Sequence, residues 1–172
     1  MPHLGQQASG SKRSGDLIHV VSSQKAVAAA ETRVLIECVK CAPLGTTDRH
    51  SSAPYVSLVN IASGPGHVPI LLLSDLAQHT QNLVTSDRAS LLLAANSSGA
   101  DPLSVGRVTL TGRVLPVLDP EKRAAYLAQH PSSAQYANFG DFRFYQFHIE
   151  NAHFIGGFGR IVALSRDELV QS

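Results

Sequence analysis

The sequence predicts a mainly β fold with peripheral helices (α+β), in which an antiparallel sheet closes into a small barrel. Short apolar runs with alternating polar partners recur from the middle of the chain onward, and this pattern is typical of half-buried strands. Most segments between them are too short for the crossovers that parallel strands need. Because open sheet edges favour association with other chains, closure into a barrel is the expected arrangement.

Six strands are predicted from these runs, and the turn between the first two is marked by Gly64-Pro65-Gly66. The predicted strands are 55–61, 70–73, 89–95, 108–114, 142–149 and 152–164. Glycines at 156, 157 and 159 interrupt the last of them. They indicate a bulge, a bend or a close approach of the backbone to a cofactor.

Three helices are predicted between and before the strands. Apolar residues recur at helical spacing from Ser23 to Lys40 and predict a first amphipathic helix. It should end near Cys41, because proline at 43 disfavours helix just before it. Asp119 followed by Pro120 predicts a capped helix that stops at 131. The remaining helix should extend to Val84, with residue 74 or 75, Ser or Asp, as its cap.

Length and composition fit one domain without extreme character. The chain has 172 residues, of which 44% are hydrophobic and 16% charged, and a formal charge of +1. Such a charge gives no field that would attract nucleic acid, and no apolar run approaches the ~20 residues of a membrane span. We therefore expect a cytoplasmic protein with a flexible tail over residues 1–22 and one domain over 23–172.

Cys38 and Cys41 form a single Cys-x-x-Cys pair, with no second pair to complete a zinc site. The pair follows a helix rather than opening one, unlike a thioredoxin motif. We expect buried or half-buried thiols. The eight histidines are scattered, so no metal site is predicted, and His148 and His153 are interpreted as surface residues.

The polar segment 74–83 lies between two apolar strands and offers a candidate anion site. Amides at a helix start bind anions, and His79, Thr80 and Asn82 add an imidazole, a hydroxyl and an amide near that start. The spacing is equally compatible with a surface helix whose polar residues are simply solvated.

The order of these elements resembles the pyridoxamine 5′-phosphate oxidase-like split-barrel proteins, and most of all their haem-utilisation branch. The resemblance covers about residues 24–164. It rests on the run Ser74-Asp75-Leu76-Ala77-Gln78-His79-Thr80-Gln81-Asn82-Leu83, the terminal Gly156-Gly157-Phe158-Gly159, and the segments 53–59, 101–103 and 107–112.

This resemblance implies a six-stranded antiparallel split β-barrel that forms a homodimer, with flavin mononucleotide (FMN) between the subunits. The implied cofactor-binding residues are Tyr55, Ser57, Val59, Leu73, Ser74, Gln78, His79, Thr80, Asn82 and Arg107. One departure weakens the phosphate site: Gln78-His79 stands where the oxidases have an Arg-Lys pair. A neutral amide and a partly protonated imidazole attract phosphate less than two permanent charges.

By resemblance, the expected function is that of an FMN-dependent oxidoreductase acting on a small-molecule substrate. No side chain stands out as a catalytic acid or base, and oxidation of vitamin B6 itself is not expected. One alternative is a haem-binding or haem-degrading protein, with His148 or His153 as the nearest candidate iron ligands. A second alternative is a flavin-binding module without catalytic activity.

Overall fold

Seven antiparallel strands form one sheet in the computed structural model, which describes residues 10–99, 101–157 and 159–170. The strands are Cys41–Thr47 (β1), Pro54–Gly64 (β2), Val68–Ser74 (β3), Arg88–Ala94 (β4), Gly106–Pro116 (β5), Phe142–Gly156 (β6) and Ile161–Ser165 (β7). The α-helices are Gly10–Cys38 (α1), Gln78–Thr85 (α2), Pro120–Gln129 (α3) and Arg166–Val170 (α4), and a 3-10 helix spans Pro131–Gln135.

Six of the strands close into a barrel. The sheet order is β3-β2-β1-β4-β5-β6-β7, and β3 also pairs with β6. This closing pair is antiparallel, with Ile70 opposite Gln146 and Ser74 opposite Phe142. β7 extends the sheet beyond the ring by pairing with β6. The predicted six-stranded antiparallel barrel is therefore confirmed. Its strand β1 was not among the six strands that the sequence predicted, and β7 is an additional strand.

The predicted final strand over 152–164 is wrong. β6 runs without a break from Phe142 to Gly156, and the chain then reverses and returns as β7 from Ile161. Gly157 and Gly159 have φ angles of +83° and +82°, a region that glycine adopts without steric cost. The glycine-rich segment is thus the reversal between two strands.

A register shift between Thr111 and Gly112 distorts the long β5–β6 pairing. At this point the two backbones approach so closely that a Cβ on Gly112 would lie 1.9 Å from the carbonyl oxygen of His148. No side chain fits in that space. Glycine is therefore required where β5 crosses the irregular part of β6.

Large apolar side chains from alternate strand positions fill the barrel. Leu91 and Leu93 are fully buried, for example, whereas Leu92 between them is 42% exposed. Each such side chain contributes about 1.5–3 kcal/mol when removed from water. The other fully buried members from the strands are Leu44, Ile61, Leu71, Leu110, Phe147, Phe154 and Leu164. This core gives the helices around it a rigid support.

Helix α1 is longer than the sequence predicts, since it begins at Gly10 instead of Ser23 and ends at Cys38. Its packed part contacts the sheet and α4, where Lys25 Nζ donates to Glu168 Oε1 at 2.6 Å. Once packed turns exist, a helix extends into polar sequence at little cost, and composition alone does not reveal this. Residues 1–9 lie outside the described part, and mobility of residues 1–22 stays a prediction.

The expected burial of the two cysteines is wrong: Cys38 and Cys41 are free and exposed. Cys38 closes α1 and Cys41 opens β1, so both lie at the surface where the chain passes from helix to sheet. Within the described ranges, no helix, α1 included, has both the length and the apolar character needed to cross a membrane.

Of the two helix caps predicted from the sequence, the one for α3 is confirmed and the one for α2 is wrong. Asp119 caps α3 as predicted, since its Oδ1 accepts from the backbone N–H of Glu121 at 2.9 Å and Pro120 follows it. The cap predicted for α2 is wrong, because Ala77 occupies that position without a side-chain hydrogen bond. Ser74 instead ends β3 and donates to Asp141 Oδ2 at 2.7 Å.

Candidate functional site

The centre of the candidate site is Asn82 on α2, whose side chain is fully buried. Its Nδ2 donates to Thr46 Oγ1 at 3.0 Å, and its Oδ1 accepts from the backbone N–H of Arg49 at 3.1 Å. The same oxygen accepts from Gln78 Nε2 at 2.9 Å. Asn82 thus joins α2 to β1 and to the turn that follows β1, and it holds the helix against the barrel.

Gln78, at the start of α2, uses its amide within the protein. Besides Asn82, its Nε2 donates to Asp48 Oδ2 at 3.2 Å. The Asp48 carboxyl also accepts from Ser51 and His50, and the hydrogen bond from the Ser51 backbone N–H is the largest cause of its lowered pKa. A carboxylate therefore stands beside the helix start, where an anion would otherwise be favoured.

Ser57 on β2 and His79 on α2 meet directly, with Ser57 Oγ 3.0 Å from Nδ1 of the imidazole. Both residues are half-buried. Burial lowers the pKa of His79 from its ordinary 6.5, so the ring is neutral at pH 7. We call this group the α2 corner; its members are Thr46, Asp48, Ser57, Gln78, His79 and Asn82.

Thr80 lies on another side of α2 and is 2% exposed. Its hydroxyl has no hydrogen-bond partner among the described residues. Buried polar atoms are nearly always paired, so this atom is an exception that needs an explanation.

The remaining predicted residues of β2 and β3 have structural positions. Tyr55 is half-buried opposite Thr46, next to the α2 corner. Val59 and Leu73 are 6% and 3% exposed and pack in the core. Ser74 is bonded to Asp141, as described above.

Arg107 lies away from the α2 corner within one chain. It sits near the start of β5, opposite Ala94 and Ile155, and its Nη1 donates to the carbonyl of Leu103 at 2.8 Å. The opposite end of β5, at Arg113 and beyond, is the one that faces the end of α2, where Val114 donates to Asp87. That end is roughly 20 Å further along the strand.

Two further histidines were candidates for iron. His148 lies on β6 opposite Arg113 and is largely exposed. Partial desolvation of its ring, together with the nearby charges of Arg166 and Lys122, lowers its pKa. His153 is exposed opposite Thr109. Among the described residues, no three His, Cys, Asp or Glu side chains group closely enough to hold a metal ion.

A cavity of about 880 Å³ lies against α2 and the ends of β5 and β6, and the sequence did not predict it. We call it the arginine cavity, since Arg49, Arg123 and Arg143 line it together with aromatic residues such as Phe142 and Phe144. These residues come from three separate segments: the turn after β1, α3 and the start of β6. The aromatic alternation of β6 was visible in the sequence, whereas the meeting of the three arginines depends on the closed barrel.

Residues 23–170 match the family described as CREG, beta-barrel. The chain belongs to the CREG β-barrel family. This assignment covers nearly all of the barrel and its helices, and it agrees with the predicted resemblance to split-barrel proteins. The corrections above concern helix bounds, one helix cap, the exposure of the two cysteines and the bounds of the strands, and they leave the barrel architecture unchanged.

Two relatives are about 30% identical to this CREG β-barrel chain over the parts that align. The chloroplastic haem oxygenase HOZ of Arabidopsis thaliana is 32% identical over 131 residues, which are 74% of this chain and 40% of HOZ. The solved haem-binding protein of Mycobacterium smegmatis is 29% identical with a TM-score of 0.78, over 83% of this chain and 60% of its own. The chain therefore spans only part of either relative's length.

A more distant solved structure shows the same fold. A protein of the pyridoxine-phosphate oxidase family from Clostridium acetobutylicum is 14% identical with a TM-score of 0.63, over 84% of this chain and 98% of its own. The barrel of the CREG β-barrel chain is thus shared with oxidase-family proteins, as the sequence predicted.

Proposed function

We propose that this chain is a haem-binding protein that works as a homodimer, with haem held at the α2 corner. Of the two relatives with about 30% identity, one is a haem oxygenase and the other a haem-binding protein. The oxidase-family structure, at 14% identity, resembles the chain in fold alone. The α2 corner contains four of the residues that the sequence indicated for a cofactor, namely Ser57, Gln78, His79 and Asn82. The proposed ligand therefore differs from the expected FMN, and the proposed place overlaps the expected one in part.

The observation that carries this proposal is the state of His79. Its pKa is lowered by burial, and a neutral imidazole is the form that ligates iron. Ser57 binds Nδ1, so the ring is oriented and its Nε2 is left for another partner. Metal-ligating histidines are commonly held by a hydrogen bond at their second nitrogen in this way.

The same corner is poorly arranged for the phosphate of FMN. The amide nitrogen of Gln78 already donates to Asp48 and Asn82, and the carboxylate of Asp48 would repel a phosphate. His79 adds no positive charge at pH 7. These groups favour haem over FMN as the ligand of this chain.

When bound, haem supplies redox-active iron. The residues of this chain would hold and orient it: His79 would provide the ligating nitrogen, Ser57 fixes the imidazole, and Asn82 keeps α2 against β1. The imidazole of His79 is half-buried, which limits the access of water to it.

We expect His79→Ala to weaken haem binding strongly and to shift the intense Soret absorption band, because the oriented nitrogen is lost. Ser57→Ala should weaken binding about 10-fold to 100-fold, the usual effect of removing a partner of a metal-ligating histidine. The measurement is an absorption titration of the purified chain with haem and, separately, with FMN.

The matched control is the double variant His148→Ala with His153→Ala, which removes two exposed imidazoles outside the corner. It should bind haem as the unaltered chain does. Unchanged haem affinity in His79→Ala would contradict the proposal. So would a flavin spectrum gained with FMN and no Soret band with haem, which would restore the flavin oxidoreductase to first place.

The homodimer is supported by an apolar outer face of the barrel. Leu58 and Val56 on β2 are 71% and 66% exposed, and Leu92 on β4 is 42% exposed. Between these strands, β1 presents Pro43 opposite Leu58 and Gly45 opposite Val56. An exposed apolar face of this kind marks an association surface. Ser57 lies between Val56 and Leu58 in the same strand and points to the opposite face of the sheet.

Leu58→Lys is therefore expected to convert the dimer to a monomer, because a charge at the centre of an apolar contact is costly to bury. Analytical ultracentrifugation at micromolar concentration measures this. Ile161→Lys on β7 is the control, since Ile161 is similarly exposed, at 64%, on the far side of β6. A Leu58→Lys protein that sediments like the unaltered dimer would remove this face as the interface.

A further inference from the structure

The arginine cavity is a concave site outside the α2 corner, and a different side of α2 lines it. Thr80, Gln81 and Val84 contribute to its wall, whereas Gln78, His79 and Asn82 make the contacts of the α2 corner. Its volume of about 880 Å³ falls in the range of pockets that hold small organic ligands. The α2 corner does not account for this space.

The walls of the cavity suit an apolar, flat ligand body. Phe142, Phe144 and Tyr145 line one side of it. Val84 and Leu118 line it too, although they are 85% and 100% exposed to water. Because fully exposed branched side chains gain most when a partner covers them, a ligand resting here would bury apolar surface at both edges.

The charges around the cavity favour an anion. Its three arginines face two carboxylates, Asp75 and Asp119. Arg143 pairs with Asp75 at 2.9 Å. The Asp119 carboxylate caps α3 and forms an ion pair with Lys122 Nζ at 3.3 Å. Both carboxylates are therefore already neutralised by partners.

Two arginines keep positive charge for a ligand. Arg123 lies 5.0 Å from the centre of the Phe144 ring and donates to Asn138 Oδ1 at 2.8 Å. Arg49 donates from Nε to His50, and its two terminal nitrogens make no hydrogen bond with any described residue. Arginine with free terminal N–H groups binds carboxylate, sulfonate or phosphate oxygens well.

The hydroxyl of Thr80 adds an independent observation. Thr80 lines this cavity, is 2% exposed, and has no hydrogen-bond partner among the described residues. A buried hydroxyl left unpaired is costly, and a polar atom of a ligand would satisfy it.

The geometry points to a binding site for a planar organic anion in the arginine cavity, separate from the α2 corner. The ring system would lie against Phe142 and Phe144, and its acidic group would be bound by Arg49. Thr80 would bond to a polar atom on the ring side of the ligand. Aromatic carboxylates, sulfonates and phosphates share this chemistry.

Two fluorescent probes test the site: anilinonaphthalene sulfonate, which is a planar anion, and phenylnaphthylamine, which has the same rings without the charge. We expect the anion to bind more tightly to the unaltered chain. Arg49→Gln should weaken the anion about fivefold, with no effect on the neutral probe. Leu118→Gln should weaken the binding of both probes, because it removes apolar contact from the cavity. Since Leu118 is fully exposed, the substitution should not disturb the fold.

Arg88→Gln is the matched control, since Arg88 is an exposed arginine that pairs with Glu150 and does not line the cavity. It should leave both affinities unchanged. Equal binding of both probes to Arg49→Gln, Leu118→Gln and the unaltered chain would overturn the site. Displacement of the probe by one equivalent of haem, lost in His79→Ala, would instead show that the cavity is part of the haem site and not separate from it.

Discussion

Gly112→Ala is expected to lower the free energy of unfolding by about 3 kcal/mol, the upper end of what overpacking usually costs. The new Cβ would overlap the carbonyl oxygen of His148, since the available separation is 1.9 Å. The neighbour is backbone within a strand pair and cannot rotate away as a side chain would. Relief requires β5 and β6 to separate at the register shift beside Thr111. Chemical denaturation followed by circular dichroism measures the loss.

Gly140→Ala is the control for this substitution. A Cβ on Gly140 meets no atom within 4 Å, and its φ is not in the positive region. Reduced freedom of the unfolded chain should leave this variant as stable as the unaltered protein or slightly more so. If Gly112→Ala unfolded at the same denaturant concentration as Gly140→Ala, the close approach of β5 and β6 would be wrong.

Asn82→Ala should lower the free energy of unfolding by about 2–4 kcal/mol, because it leaves one buried and one partly buried polar group without a partner. Thr46, only 6% exposed, loses the bond to its hydroxyl, and the backbone N–H of Arg49 loses its acceptor. The substitution also releases Gln78. Haem affinity should fall with stability, since α2 carries His79.

Gln81→Ala tests whether the effect belongs to the network or to any amide on α2. Gln81 makes one longer hydrogen bond, at 3.3 Å to the carbonyl of Leu76, near the surface. Its replacement should change stability by less than about 0.5 kcal/mol. Thermal unfolding of the two variants side by side decides the matter, and equal midpoints would contradict the bridging role of Asn82.

The barrel was predictable because most of its strands show alternating apolar and polar residues, and because the connection from β2 to β3 is a tight turn. The turn at Gly64-Pro65-Gly66 and the cap at Asp119 are local signals, and local signals decide local structure. The length of α1 was not predictable in this way. Its first turns are polar, and they form because packing of residues such as Ala28 and Ile36 supports the helix behind them.

The candidate site was predictable only in part. The sequence and its resemblance to split barrels selected Ser57 and His79, and the structure places them 3.0 Å apart. The polar bonds of Asn82 to Thr46 and Arg49 join residues more than thirty positions apart, so spacing along the chain could not reveal them. The arginine cavity depends likewise on contacts that exist only after the strands have closed.

Closure of the barrel also has a consequence for how the chain acquires its structure. The pairing of β3 with β6 joins segments separated by α2, β4, β5 and α3. Contacts so distant along the chain form slowly, because much chain entropy is lost before they contribute. While β6 is still being synthesised on the ribosome, β3 and β5 each present an unpaired edge. The nascent barrel is therefore most exposed to misassembly in the interval before residues 142–156 become available.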